Sequence, residues 1–347
     1  MKIADKKIGK ENPVFIVAEL SANHNHDFEI AAKTIKAAKK AGADAIKVQT
    51  FTPDTITINC TDKAFQINDG TLWDGKTLHQ LYAEAYMPWE WQPKLKKLAE
   101  DKGLVFFSTP FDKTAVDFLE KLDVPAYKVA SCEITDIPLI EYIASKGKPV
   151  IISTGIATLS DIKEALAACK RMKNKQIVLL KCTSAYPTPF DEVNLINIPD
   201  LARKTGTIIG LSDHTMGISV PIASVALGAK IIEKHFILDR KKGGPDAPFS
   251  LEPEEFREMI QSVREVEKAI GKVNYKLTKN MKKSRRFSRS LFAVKDIKSG
   301  EKFSEENVKS IRPGNGLHPK YLCMILKKKA KRNIKKGTPL RWGLIED

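Results

Sequence analysis

Eight short apolar runs, nearly all of which turn polar at the C-terminal end, constrain this chain more than any other feature. They are PVFIVAEL (13–20), AIKVQTF (45–51), LVFFSTPF (104–111), AYKVAS (126–131), PVIISTG (149–155), IVLLKCTS (177–184), IIGLSDH (208–214) and IIEKHF (231–236). Most are separated by a stretch of helical period. In DFEIAAKTIKAAKKAGA, Ile30, Ala31, Ile35, Ala38 and Ala41 share one face and Gly42 supplies a stop. FDKTAVDFLEKLD is a second such stretch, and LSDIKEALAACKRM a third, with Ser160 and Asp161 as its expected caps. Strand alternating with helix predicts a parallel sheet. Eight such units over about 225 residues predict an α/β fold, a (β/α)8 TIM barrel. The alternative is an open doubly wound sheet, but no G-x-G-x-x-G follows the first run.

The polar strand ends carry the functional signal. Glu19 ends the first run, and Lys47 and Gln49 lie in the second. Thr109 follows in the third, Lys128 and Ser131 in the fourth with Glu133 just beyond, and Ser153 in the fifth. Lys181, Thr183 and Ser184 end the sixth, Ser212, Asp213 and His214 the seventh, Glu233 and His235 the eighth. In a barrel these ends meet on one rim, where active sites form.

Alternation places Ile231, Glu233 and His235 on one face. His214 ends the preceding strand, and strands lie about 4.8 Å apart, so the two imidazoles suit one divalent ion with positions left for water and substrate. Without cysteine ligands Mn²⁺ or Mg²⁺-like ions fit, and imidazole would also accept Zn²⁺ or Co²⁺. A hydrogen-bonded structural pair is the other reading of the same spacing. Lys47 and Lys128 interrupt apolar strands. Beside Thr109, Ser131, Ser153 and Ser212 they suggest a phosphate cradle. A Schiff-base lysine and a snorkelling stem are the rivals. Glu19, Glu133 and Glu233 are acid–base candidates or ion-pair partners of the lysines. Asp246 lies in the loop KKGGPDAPFS, which either covers the site or simply turns, and Tyr186, in TSAYPTPF, is a candidate wall or hydroxyl donor or a residue of ordinary loop packing. His24 belongs to the first helix or the substrate region, and His26 to solvent.

Charge divides the chain. Residues 271–347 hold 22 Lys+Arg against 6 Asp+Glu, whereas residues 1–270 hold 36 of each. The predicted organisation is therefore a barrel domain over 1–270, a linker over 271–285 and a small domain over 286–347. A basic tail raises nucleic acid as a partner, but it lacks a stacking-aromatic pattern and none is expected. No apolar run reaches 18 residues, so no membrane span is expected, and MKIADKKIGK predicts no secretory signal. The five scattered cysteines, with no C-x-x-C, predict a reduced cytoplasmic setting.

Taken together, AEL-SANHNHD, IKVQTF, FFSTPFD, PAYKVAS-CE, KPVIISTG, KCTSAYPTP, IGLSDHTMG, EKHF and IRPGNG resemble the sialic acid synthase family, from about residue 13 to the C-terminus. The resemblance implies a transferase that condenses phosphoenolpyruvate with an open-chain amino sugar on the barrel. It also implies that the small domain is antifreeze-like (SAF). SANHNHD, the segment INDGTLWDGKTLHQLYAEAYMPWEW (67–91) and Ser184 resemble the branch acting on 2,4-diacetamido-2,4,6-trideoxy-altropyranose. Members acting on N-acetylmannosamine tend to carry Asn where Ser184 stands; neuraminate or legionaminate synthesis is the alternative.

By that resemblance Lys47, Thr109, Lys128, Ser131, Ser153, Ser184 and Ser212 hold phosphoenolpyruvate. Gln49, Glu133, Tyr186 and Asp246 contact the sugar, and His214 and His235 bind Mn²⁺. Glu19 steers or deprotonates water, and Glu233 is a second acid–base group. Arg312 reaches the partner's site in a domain-swapped homodimer. Arg285, Arg286 and Arg289 are left without a role.

Overall fold

A computed structural model of the chain describes residues 1–9 and 11–346. It divides into two compact units, residues 1–271 and 272–347. The first is a closed barrel of eight parallel strands: β1 (Phe15–Glu19), β2 (Ala45–Thr50), β3 (Val105–Pro110), β4 (Tyr127–Val129), β5 (Val150–Ser153), β6 (Ile177–Lys181), β7 (Ile208–Asp213) and β8 (Ile231–His235). Each pairs with its sequence neighbours, and β8 closes on β1.

Alternation sorts the strand residues into two cores. Phe15, Val17, Ala45, Val105, Phe107, Ile151, Val178, Leu180 and Ile231 fill the barrel interior. Ile3 and Ile8, from the N-terminal ribbon, join that interior cluster. Ile16, Ile46, Val48, Phe106, Ile152, Leu179, Ile232 and Phe236 point the other way, into the helical layer. Burial on both faces explains why the strands read as continuous apolar runs.

The helices are amphipathic and locally capped. In α1 (Phe28–Ala41), Ala31, Ile35, Ala38 and Ala41 are buried, the Asp27 carboxylate accepts from the Glu29 and Ile30 N–H groups, and Gly42 ends the helix at φ 105°. That conformation favours glycine. The helix Leu159–Arg171 is capped by Thr158 rather than by Ser160 or Asp161, and Asp161 instead closes the capping box from its third position. Between β2 and the helix Gln92–Asp101 the chain makes a long excursion that contains the helix Leu78–Ala85.

The second unit has its own small core, including Leu291, Ile297, Phe303, Ile325, Ile334 and Leu340. Two strands, β9 (Ser290–Ala293) and β10 (Val308–Ile311), pair antiparallel. A short exposed helix, Lys279–Arg285, lies within the stretch that composition suggests as linker. Among the described residues no helix is long and apolar enough to cross a membrane.

Candidate active site

The register explains why charged residues enter the barrel. Glu19 pairs with Lys47 and His235, Gln49 with Thr109, and Glu233 with Ser212. These side chains follow the apolar interior layers on the inward face of their strands, so they share the C-terminal end of the barrel.

They form one buried ionic network. Lys47 Nζ lies 2.6 Å from Glu19 Oε2 and 3.6 Å from Glu233 Oε1, and donates to Thr109 Oγ1 at 3.2 Å. Lys128 Nζ lies 3.7 Å from Glu233 Oε1 and donates to Ser153 Oγ at 2.7 Å. Ser212 Oγ donates to Glu233 Oε1 at 3.4 Å, and Gln49 Nε2 donates to Glu19 Oε1 at 3.2 Å. The two lysines are thus partnered by carboxylates as well as hydroxyls. All of these groups except Gln49 are buried.

Burial and charge separate the two central acids. Burial raises Glu19 to about 7 despite Lys47 beside it. For Glu233 burial also pushes upward, but Lys128 and Lys47 outweigh it and hold the carboxyl below its usual range. Burial lowers Lys128, whereas in Lys47 the effect of burial is overcome by Glu19 and Glu233 and the ammonium is raised. The cluster thus keeps one carboxyl that exchanges its proton near neutrality beside one that stays ionised.

Above this layer opens a cavity of about 260 Å³. Ser21, Gln49, Ser131, Glu133, Tyr186, His235 and Asp246 line it. Burial raises Glu133 to about 7, and its Oε2 has no hydrogen-bond partner. Ser184 Oγ is likewise buried without a partner. It crowds Gly155 together with Ser131: a Cβ at that glycine would lie 2.2 Å from Ser184 Oγ and 2.6 Å from Ser131 Oγ. Asp246 Oδ2 accepts from the Ala22 N–H at 3.3 Å and lies 3.7 Å from His235 Nδ1.

His214 and His235 face each other with ring centroids 5.4 Å apart. The Phe249 ring lies 4.9 Å from that of His235, and Tyr186 lies 4.3 Å from that of His214. His214 Nδ1 contacts the Thr183 carbonyl at 3.1 Å, which can only accept, so Nδ1 carries a proton and this contact leaves Nε2 unused. His235 Nδ1 is buried without a hydrogen-bond partner. Burial, then His214, hold His235 well below its usual pKa and therefore neutral. Among the described residues no group of three His, Cys, Asp or Glu side chains closes around a point. The donor set fits a divalent ion held by two imidazoles, with its other positions left for water and substrate.

Lys181 and Lys234 point out of the barrel. Lys181 Nζ donates to the Cys182 carbonyl and Thr183 Oγ1. Lys234 Nζ pairs with Asp213 Oδ2 at 2.5 Å and donates to the Thr215 carbonyl at 2.6 Å. His24 is buried beside Trp91 and accepts from the His26 N–H through Nδ1. His26 is exposed and contacts the Ala83 carbonyl. Arg312 belongs to the second unit, where it is exposed and forms no side-chain hydrogen bond or ion pair among the described residues.

Continuing the two-residue alternation past each strand end finds site residues that polarity alone misses. Ser21, Phe51 and Phe111 line the cavity, and Cys182 lies with its sulfur 3.8 Å from His214 Nδ1. Burial pushes that thiol up, but His214 and Ser131 bring it to about 7. Trp73 and Tyr82 line the cavity from the excursion after β2, which carries no comparable periodic signal.

A family model described as the NeuB family matches residues 34–275, and a SAF domain model matches residues 288–346. A pseudaminic acid synthase of Campylobacter jejuni is 49% identical, covering 96% of this chain and 97% of that protein. A pseudaminic acid synthase of Helicobacter pylori is 44% identical, covering 96% and 98%. The crystal structure of the spore coat polysaccharide biosynthesis protein SpsE from Bacillus subtilis superposes with a TM-score of 0.68 at 35% identity, covering 100% of this chain and 99% of that one.

Proposed function

This chain belongs to the NeuB family, and on that premise we propose that it makes pseudaminic acid from phosphoenolpyruvate and 2,4-diacetamido-2,4,6-trideoxy-β-L-altropyranose, releasing phosphate. The observation that carries the reading is the buried pair Lys47 and Lys128, ringed by Thr109, Ser153 and Ser212 beneath a cavity of sugar-like size. Two cations and several hydroxyls answer the charge and acceptor oxygens of a phosphate. Glu19 and Glu233 partner the lysines until the substrate arrives. Ser131 and the unpartnered Ser184, packed against Gly155, complete the phosphoenolpyruvate site.

The sugar lies in the cavity as its open-chain aldehyde, against Gln49, Glu133, Tyr186 and Asp246. His214 and His235 hold a divalent ion, Mn²⁺ in this proposal. When bound, it supplies Lewis acidity toward the aldehyde oxygen. C3 of phosphoenolpyruvate attacks the aldehyde carbon, the C2=C3 π pair becomes the new C–C bond, and the oxygen takes a proton from solvent water to become a hydroxyl. C2 is left oxocarbenium-like beside the ionised Glu233. Water adds there and loses its proton to Glu19, whose carboxyl titrates near 7. Collapse of the adduct breaks the bond between C2 and the phosphate oxygen, the C2 hydroxyl proton leaves with the expelled phosphate, and the C2 ketone remains.

Arg312 is exposed and, among the described residues, its side chain forms no hydrogen bond or ion pair, which suits a residue that completes a neighbouring subunit's site in a domain-swapped homodimer. A planar guanidinium gives directed hydrogen bonds to acetamido and carboxylate oxygens. All five cysteines are unpaired, in keeping with a cytoplasmic setting.

The test is phosphate release from phosphoenolpyruvate with Mn²⁺, offering the diacetamido-trideoxy-altrose, the corresponding legionaminate precursor and N-acetylmannosamine separately. Turnover with the altrose sugar alone is expected. Preference for either other sugar would move the protein to a neighbouring branch.

A further inference from the structure

The cavity has two unlike walls. One is polar: Ser21, Gln49, Glu133, His235 and Asp246. The other is an apolar corner made by Phe51, Ile56, Leu81, Tyr82, Ala85 and Phe111. Phe51 packs edge-on against Phe111 at 5.1 Å and against Tyr82 at 5.6 Å, and is itself buried. The Tyr82 hydroxyl is the corner's one polar side-chain group, and burial raises it to about 12, so it stays neutral. Phe51 and Phe111 come from the ends of β2 and β3, and the rest from the excursion after β2.

We infer that this corner receives the methyl group at C6 of the sugar and selects 6-deoxy acceptors over 6-hydroxy ones. The inference rests on the synthase reading above and deepens it. His214 and His235, where the aldehyde carbon reacts, stand on β7 and β8. The corner stands on β2 and β3, with β1 between it and β8 in the closed order. In an opened hexose the C2 acetamido group is bound to the carbon next to the aldehyde, so it stays near the histidines. C6 is the carbon farthest from the aldehyde, and we place it across the cavity, past β1, in this corner. A methyl there gains apolar burial. A hydroxyl there would surrender its water to a corner whose own side chains offer only the Tyr82 hydroxyl.

Apolar pockets discriminate modestly against an added hydroxyl, on the order of 10- to 100-fold in kcat/KM. The experiment compares the diacetamido-trideoxy sugar with its 6-hydroxy and its 4-hydroxy analogues, in the wild-type protein and in Phe111→Asn and Ile56→Asn. Two variants guard against one that misfolds, and circular dichroism reports folding. The wild type is expected to prefer the 6-deoxy sugar by that factor, and either folded variant to reduce the preference below about threefold. An intact preference in the folded variants, or a wild type indifferent at C6, overturns the inference. A variant effect on the 4-acetamido preference alone would assign the corner to that acetamido methyl and also overturns it. No phosphate release by the wild type with any of the sugars would instead sink the synthase reading on which it stands.

Discussion

Strand β8 holds two buried ionic sites back to back. On its outward side Lys234 is fully buried, paired with Asp213 and bonded to the Thr215 carbonyl, while Thr215 Oγ1 donates to both Asp213 oxygens. On its inward side Glu233 is shared between two lysines, its Oε2 has no hydrogen-bond partner, and the neighbouring His235 Nδ1 has none either. Both sites are closed off from water to a similar degree. The outward one is satisfied by the protein itself, as a structural charge must be. The inward one keeps unused acceptors, one strongly lowered imidazole and a Glu19 carboxyl near 7. Buried charge with unspent bonding capacity marks the functional side, and buried charge alone does not.

Breaking the outward pair should have the largest energetic effect. Lys234→Met leaves Asp213 buried without its cation and should cost about 3–5 kcal/mol in urea unfolding. Turnover by the folded fraction should stay within about tenfold of wild type. Breaking the inward pair should do the reverse. Lys128→Met should lower kcat/KM for phosphoenolpyruvate by about 10²–10³, with a smaller loss of stability, because Glu233 keeps Lys47.

The pH profile sharpens the contrast further. A base acts in its deprotonated form, so kcat/KM should fall about tenfold per pH unit below the Glu19 value of about 7 and level off above it. Glu19→Gln should abolish that limb along with most of the activity. Persistence of the limb in the residual rate of this variant would transfer the base role to another group. The smallest expected effect is at Gly155. Its added Cβ would press on Ser184 and Ser131, so Gly155→Ala should raise KM for phosphoenolpyruvate by about tenfold with kcat less affected.

The barrel was legible because parallel strands buried on both faces announce themselves as apolar runs. Polar strand ends located Glu19, Lys47, Lys128, Ser212, His214 and Glu233 at one end of the barrel, since alternation fixes the inward face. What alternation cannot give is pairing between strands distant in sequence. That Glu19 and Glu233 both hold Lys47 depends on β8 closing against β1, which no local pattern states. The same strand shows the opposite case in Lys234, which is equally buried and charged but faces outward and is paired with Asp213. Trp73, Leu81 and Tyr82 reach the cavity from an irregular excursion whose path depends on tertiary packing, including the Trp73 Nε1 hydrogen bond to the Pro245 carbonyl at 3.0 Å.

The measurement that bears most directly on the contrast is the equilibrium affinity for phosphoenolpyruvate, with Mn²⁺ and without sugar, in wild type, Lys128→Met and Lys234→Met. The inward network as the phosphate site predicts a loss of at least about tenfold in Lys128→Met and wild-type affinity in folded Lys234→Met. Equal affinity in all three would contradict it.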